Sequence, residues 1–235
     1  MPPDGAARLV AVLALASIVF VGAVAVIPST PGDGDAVTGR ARFAFAPRVL
    51  ALLGLFFLVF TANSAVLTYL VPFLHQVTGV SGSLVSVFLF AYGAATLAGS
   101  LGGGRLADGC AARTLVVGTC GLAGALLVLW AVASSALLVL PALVVWGLIA
   151  FGMTPSVQLR VVTLAGPGAA LASSLPASAA NAGIACGSVL GGLTIAEIGT
   201  RPVVLTGVAV AVAAVVAAVL TRNLQPTHPT TSRSH

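Results

Sequence analysis

Asn63, Ser64 and Asn181 are polar side chains that stand inside long runs of apolar sequence. Phe60, Asn63 and Leu67 follow an i, i+3, i+7 spacing, so they share one face if the run is helical. A polar group at membrane depth is costly to bury and tends to mark the path of a ligand or an ion. A hydrogen-bonded contact between two helices is the alternative for these positions, and the residues favour neither.

Aromatic side chains form a second group of candidates. Tyr92 lies near the middle of one apolar run, and Trp146 and Phe151 lie in another. A ring that carries a hydroxyl or an N–H group suits an amphipathic ligand, and it suits tight packing between helices equally well. These residues therefore join the candidate list with both roles open.

Composition determines which elements must position these side chains. The chain is 59% hydrophobic and 6% charged, with a mean hydropathy of +1.14, whereas a soluble domain carries about 25% charged residues. This composition indicates an integral membrane protein in a lipid bilayer. The net charge of +5 comes from scattered arginines without a basic, aromatic-rich face, so we expect no nucleic-acid partner. The chain has no lysine, which excludes a Walker A loop.

The sequence offers little for catalysis or metal binding. An enzyme inside a membrane needs a nucleophile with a base, or a metal cluster, and no such group of His, Asp, Glu and Cys is present. Cys110, Cys120 and Cys186 lack metal-ligand spacing and are interpreted as small packing residues. We expect no catalytic residue, no metal and no cofactor.

Seven apolar segments are long enough to cross a bilayer, which takes about 20 residues each. The prediction is an all-α integral membrane bundle of about seven helices near 8–27, 48–74, 83–103, 114–133, 137–157, 171–195 and 202–221. The first segment could be a secretory signal, but its start holds one arginine and no clean cleavage site precedes Pro28. We therefore interpret it as a retained span.

Four regions follow from this pattern. Residues 1–27 hold the first helix, 28–47 form a linker rich in Pro, Gly and Asp, 48–221 form a six-helix bundle, and 222–235 form a disordered tail. With the linker in the cytoplasm, Arg8 and Arg201 are the only arginines outside. The positive-inside rule thus predicts an outside N-terminus and a cytoplasmic C-terminus.

Glycines recur four residues apart at two places. Gly99 and Gly103 share a helix face, and Gly183, Gly187 and Gly191 form a longer series that we call the glycine ladder. This small-xxx-small spacing lets two membrane helices approach closely. We predict helix contacts at both places.

The turn after Gly103 carries a family resemblance. Gly104, Leu106, Ala107, Asp108 and Arg113 match the short cytoplasmic loop between the second and third helices of each half of major facilitator superfamily transporters. Other matching stretches resemble the seventh, tenth and eleventh helices of bacterial drug- and sugar-efflux members: Thr68–Leu74 with Val77–Gly79, Pro155–Gln158, and Asn181–Ile184 with Gly187, Ser188, Gly191 and Gly192.

The resemblance implies a fold and a set of site residues. The chain is similar to one helix plus the C-terminal six-helix half, with a cytoplasmic linker between them. It implies that Gly104, Asp108 and Arg113 form a conformational loop whose aspartate latches one state of the transport cycle. The family's seventh helix lines the substrate cavity, so the resemblance implies that the face with Phe60, Asn63 and Leu67 is part of that lining. The other candidates for the cavity come from their side-chain chemistry, with a packing role still open: Ser64, Tyr92, Trp146, Phe151 and Asn181.

The resemblance also concerns what lies opposite this bundle. The eighth and eleventh helices of the family border the other half, so part of the face bearing the glycine ladder is expected to lack a partner within this chain. Proton-coupled members often keep their titratable groups in the first half. Because the predicted spans contain no acid in their interiors, the sequence leaves proton coupling open.

Two functions are compatible with these residues. The first is a secondary transporter of the cell membrane that exports a small organic solute or drug by alternating access, present in a truncated or half-length form. The second is a non-transporting membrane subunit that pairs with a separate N-terminal half. They differ in what accompanies this chain rather than in its residues.

Overall fold

The computed structural model describes residues 43–224, apart from the side chains of residues 106–110. Helices account for the regular structure of this part of the chain. They are α1 (Pro47–Leu67), α2 (Leu70–Phe73), a π-helical turn (Leu74–Thr78), α3 (Ser83–Ala131), α4 (Ala136–Gly152), α5 (Thr154–Ala165), a 3₁₀ turn (Gly166–Gly168), α6 (Ala169–Ala172), α7 (Leu175–Ile198) and α8 (Val203–Thr221).

Six stretches of the described chain are long and apolar enough to cross a membrane, namely Pro47–Leu67, Ser83–Arg105, Ala111–Ala131, Ala136–Ala172, Leu175–Ile198 and Val203–Thr221. The predicted all-α membrane bundle is thereby confirmed. The predicted first span at 8–27 lies outside the described residues, as do most of the linker and of the tail.

Helix α1 is the centre of the bundle. It packs against α7 on one side and α8 on another, and its side chains from Val49 to Val66 are mostly buried. A buried bond between the Thr194 and Thr206 hydroxyls, 2.9 Å long, joins α7 to α8. The three helices therefore form one packed unit around α1.

The glycine ladder makes the contact between α7 and α1. Gly183, Gly187 and Gly191 lie against α1 carbonyls, and a Cβ at Gly187 would collide with the carbonyl oxygen of Thr61. The expectation that this face would partly lack a partner is wrong, because α1 itself covers the three glycines. Close approach of the two backbones is possible only where no side chain intervenes.

Helix α3 contains two apolar arms, Ser83–Arg105 and Ala111–Ala131. The first arm lies on α4, with Gly99 over the backbone of Leu148 and Gly103 over the backbone of Gly152. The contact point therefore moves toward the C-terminal end of α4 as the first arm runs toward its own C-terminal end.

The second arm runs back along the same helix. A Cβ at Gly118 would lie 3.1 Å from the Met153 side chain, and one at Gly121 would lie 3.2 Å from that of Ile149. Along the second arm the contact point moves back toward the N-terminal end of α4. The chain therefore reverses direction between Gly103 and Gly118. The reversal falls where the sequence predicts a loop, but the backbone there keeps helical geometry, as its alanine content favours.

The span predicted at 137–157 differs from the structure at its end. Helix α4 ends at Gly152, and α5 begins next to Pro155, which is favoured in the first turn of a helix. The chain then stays helical to Ala165, so Arg160 and the exposed Gln158 both lie within α5. Arg160 is buried there.

The segment predicted at 48–74 is also interrupted. Helix α1 ends at Leu67, and α2 begins at Leu70. Pro72 has no N–H to donate to the carbonyl of Thr68, four residues earlier, and its ring crowds that carbonyl. The interruption at Thr68 and Tyr69 follows from this single proline.

Contacts across the bundle define its two ends. At one end the Nε of Arg48 donates to the carbonyl of Leu164 over 2.9 Å, and at the other the hydroxyl of Thr200 donates to Gln76 Oε1 over 2.6 Å. The first end, called the arginine-rich end below, holds Arg48, Arg105, Arg113, Arg160 and Arg222 of the described arginines. Arg201 lies at the other end, where its Cζ is 5.5 Å from the centroid of the Trp130 ring.

Candidate functional site

A hydrogen bond between two predicted site residues is the centre of the candidate site. The hydroxyl of Tyr92, on the first arm of α3, donates to Asn63 Oδ1 on α1 over 3.2 Å. Asn63 is 3% exposed and Tyr92 is 6% exposed. The two side chains that the sequence left open between pathway and packing therefore touch each other inside the bundle.

Trp146 of α4 completes this group, which we call the central cluster (Asn63, Tyr92 and Trp146). The ring centroids of Tyr92 and Trp146 are 4.8 Å apart with a tilt of 50°. Gly147 makes the approach possible, because a Cβ there would lie 3.0 Å from the carbonyl oxygen of Tyr92. Three helices thus converge on one polar and aromatic group.

Aromatic rings of α1 lie beside the central cluster. Phe60, three residues before Asn63, packs edge-on against Phe56 at 4.7 Å and against Phe151 of α4 at 6.1 Å. Phe60 and Phe151 are half-buried. They provide an accessible apolar surface next to the buried polar group.

The indole nitrogen of Trp146 is a buried donor. Trp146 is fully buried, and its Nε1 has no hydrogen-bond partner among the described residues. A buried donor left without an acceptor costs about 1–3 kcal/mol, so an acceptor brought to it by a ligand or by water would be favoured there.

Three other predicted lining residues lie elsewhere. Ser64 is buried at the contact with the glycine ladder, because a Cβ at Gly187 would lie 3.1 Å from the Ser64 Cβ. Leu67 is half-buried at the end of α1 and Asn181 is exposed on α7. The structure therefore joins Asn63 to Tyr92 and Tyr92 to Trp146, and separately joins Phe60 to Phe151. It leaves Ser64, Leu67 and Asn181 outside both groups.

The residues of the predicted conformational loop lie at the arginine-rich end. Gly104 is half-buried, and Arg113 is exposed at the start of the second arm. The side chain of Asp108 lies outside the described part of the structure, so its latch role stays a prediction.

Sequence reasoning missed the polar contacts that close the arginine-rich end. Arg160 donates from one terminal nitrogen to the carbonyl of Thr221 at 3.1 Å and to that of Leu224 at 3.4 Å. A guanidinium at a helix C-terminus satisfies orphan carbonyls and the negative end of the helix dipole. The available signal was an arginine surrounded by apolar residues in the VQLRVV stretch.

A second missed contact lies at the opposite end. The hydroxyl of Tyr69 donates to the carbonyl of Ser188 over 2.8 Å, and the hydroxyls of Thr68 and Ser188 are 2.9 Å apart. These bonds join the interrupted end of α1 to α7. Among the described residues there is no group of three His, Cys, Asp or Glu that could hold a metal ion.

In the part of the chain that the structure describes, six apolar spans and a buried polar cluster define a multi-pass membrane protein with a helical bundle. No family model matches the chain. Individual proteins do match it, and those described below are transporters or efflux pumps. The MFS-type transporter YtbD of Bacillus subtilis, which is itself described as uncharacterized, is 34% identical over 194 residues, which cover 80% of this chain and 49% of the relative.

Two further relatives have names that describe efflux. A chloramphenicol efflux pump of Mycobacterium tuberculosis is 32% identical over 161 residues, covering 66% of this chain and 39% of the relative. A probable sugar efflux transporter of Haemophilus influenzae is 27% identical over 202 residues, covering 86% and 50%. The chain belongs to the major facilitator superfamily, as its loop motif predicted. It spans about half the length of the curated relatives it matches.

The bond between Tyr92 and Asn63 predicts energetic coupling between the two positions. We expect the Tyr92→Phe and Asn63→Ala substitutions to interact in a double-mutant cycle by about 0.6 kcal/mol, with an upper bound of about 1.7 kcal/mol, as found for polar contacts inside membrane bundles. Reversible unfolding in mixed micelles measures the cycle. Strict additivity of the two single changes would show that the bond contributes nothing to the fold.

Proposed function

We propose that the described bundle is the C-terminal half of a secondary transporter that exports a small organic solute by alternating access. In this arrangement two six-helix bundles enclose a path between them. The half-buried rings of Phe60 and Phe151 line that path from the side of this chain, next to the buried central cluster.

Three independent features support this proposal. The relatives include proteins whose names describe the efflux of chloramphenicol and of sugar. The matched region is 39% to 50% of the length of these relatives, which is close to one bundle of a two-bundle protein. The stretches around Thr68, Pro155 and Asn181 resemble helices of the second half.

The observation that carries the proposal is the central cluster itself. An amide, a phenol and an indole meet there at one buried point, and polar groups at membrane depth are costly and tend to mark the path of a ligand or an ion. The buried Trp146 Nε1 without an acceptor gives the cluster a donor for a polar substrate atom. The half-exposed rings beside it suit the apolar part of the same molecule.

The proposed setting is the inner or cell membrane. The arginine-rich end faces the cytoplasm according to the positive-inside rule, which gives a cytoplasmic C-terminus and an outside N-terminus. We assign no cofactor, and the proposal names no coupling ion, since proton coupling would draw on groups in the partner half.

A second candidate is a membrane subunit that pairs with an N-terminal bundle without transporting anything. Both candidates need the same partner, so transport by the paired bundles separates them.

Transport by a reconstituted pair is the first expectation of the proposal. The full 235-residue chain is placed in liposomes alone, and separately with the N-terminal bundle of a relative such as YtbD. Chloramphenicol and a labelled sugar are the probes. We expect flux from the pair and none from the chain alone, because one bundle cannot enclose a path formed by two.

Single substitutions connect that flux to the central cluster. Tyr92→Phe removes the hydroxyl that bonds Asn63, and we expect flux to fall about threefold to tenfold, equivalent to about 0.6–1.4 kcal/mol. Tyr69→Phe is the matched control, since it removes a hydroxyl bonded to the carbonyl of Ser188 outside the cluster. Flux from the chain alone, or equal loss in both variants, would contradict the proposal.

The conformational loop gives a separate expectation in the same pair. Asp108 lies between the two arms of α3, where the chain reverses direction. A carboxylate that acts on the end of a helix contributes at most about 2 kcal/mol, which is small against folding, whereas about 1.4 kcal/mol changes a two-state equilibrium tenfold. We expect Asp108→Asn to leave insertion intact, to lower flux, and to change the labelling of a Phe60→Cys variant by an impermeant maleimide from each side. Arg113→Ala should have a similar effect, and unchanged flux and labelling in both variants would leave the loop as a solvated turn.

A further inference from the structure

A groove at the arginine-rich end is separate from the central cluster. It has a volume of about 980 Å³ and lies between the two arms of α3 and the end of α4. Its floor and walls are glycine and apolar side chains with one threonine, among them Gly102, Val117, Gly118, Gly121, Leu148 and Ile149. Such a lining suits a hydrocarbon chain.

Two arginines complete the lining. Arg105 ends the first arm and Arg113 lies near the start of the second, and both line the groove while remaining exposed. A guanidinium presents several N–H donors and pairs with phosphate oxygens. The groove therefore offers a cationic mouth above an apolar trough, which complements an amphiphile with an anionic head.

The position of the groove limits the source of such an amphiphile. The two arms belong to spans that cross the bilayer, and their arginine-bearing ends lie where one leaflet has its headgroups. The groove is open on the outer surface of the bundle at Gly102, which is exposed, and at Val117, which is 62% exposed. A lipid of that leaflet can reach it by lateral diffusion alone.

We propose that this groove binds an anionic phospholipid, with one acyl chain along the glycine-lined trough and the phosphate at Arg105 and Arg113. The proposal requires the bundle to span a membrane and does not depend on transport activity. Basic residues at a membrane surface each strengthen the binding of anionic lipid by about fivefold, so the pair accounts for about thirtyfold.

Native mass spectrometry of the full chain tests the proposal. The chain is released from micelles that contain equal amounts of phosphatidylglycerol and phosphatidylcholine with the same acyl chains. We expect the chain to retain one phosphatidylglycerol molecule. In the Arg105→Gln, Arg113→Gln double variant we expect the binding of this lipid to be about thirtyfold weaker. Arg201→Gln, which removes an arginine from the opposite end, should bind as the parent does.

A second pair of variants tests the trough rather than the charge. A Cβ at Gly102 or at Gly93 meets nothing within 4 Å, so a side chain can start at both positions without displacing the backbone. Gly102 lines the groove and Gly93, on the same arm, does not. We expect Gly102→Leu to abolish retention and Gly93→Leu to leave it unchanged.

The outcomes are distinct. Equal retention of the two lipids, equal loss in Arg201→Gln, or parent-like binding by Gly102→Leu would each overturn the proposal. In a parallel sample, glycerol phosphate is added to micelles that lack phosphatidylglycerol. Its retention there would assign the arginines to a free anion and not to a bilayer lipid. A second copy of the chain that disappears in Gly102→Leu would identify a protein contact instead.

Discussion

Close approach of helix backbones at glycine is the constraint on which the rest of this structure depends. In a bilayer, apolar side chains gain little by leaving lipid for one another, so helices associate through tight packing and a few hydrogen bonds. Here the glycine ladder brings α7 onto the carbonyls of Phe57, Thr61 and Ala65 of α1. Gly99 and Gly103 bring α3 onto α4 in the same way.

The position of the candidate site follows from these contacts. With one face of α1 against α7, the face with Asn63 is directed toward α3, where the Tyr92 hydroxyl meets it. Gly147 then allows α4 to place Trp146 against the Tyr92 ring. Each member of the central cluster is on a different helix, and the glycines fix their distances. A polar site built this way is as rigid as the helix contacts around it.

Much of this arrangement could be predicted from the sequence, for identifiable physical reasons. Long apolar runs indicated the six described spans, because hydrophobic length is a local property of the chain. Which helices contact each other was harder to predict. The spacing of Gly183, Gly187 and Gly191 marks a contact but does not say which helix makes it, so the expectation of an uncovered face was wrong. Arg160 is buried where it can donate to the carbonyls of Thr221 and Leu224. These partners are distant in sequence, so no pattern near Arg160 predicts them.

Alkaline phosphatase fusions directly test whether the six described spans cross the bilayer with the arginine-rich end in the cytoplasm. Alkaline phosphatase is active only outside the cytoplasm, so it is fused after Thr78 in one protein and after Arg222 in another. We expect activity from the fusion after Thr78 and silence from the fusion after Arg222. The reverse pattern would contradict the orientation, and activity from both fusions would contradict the number of crossings between them.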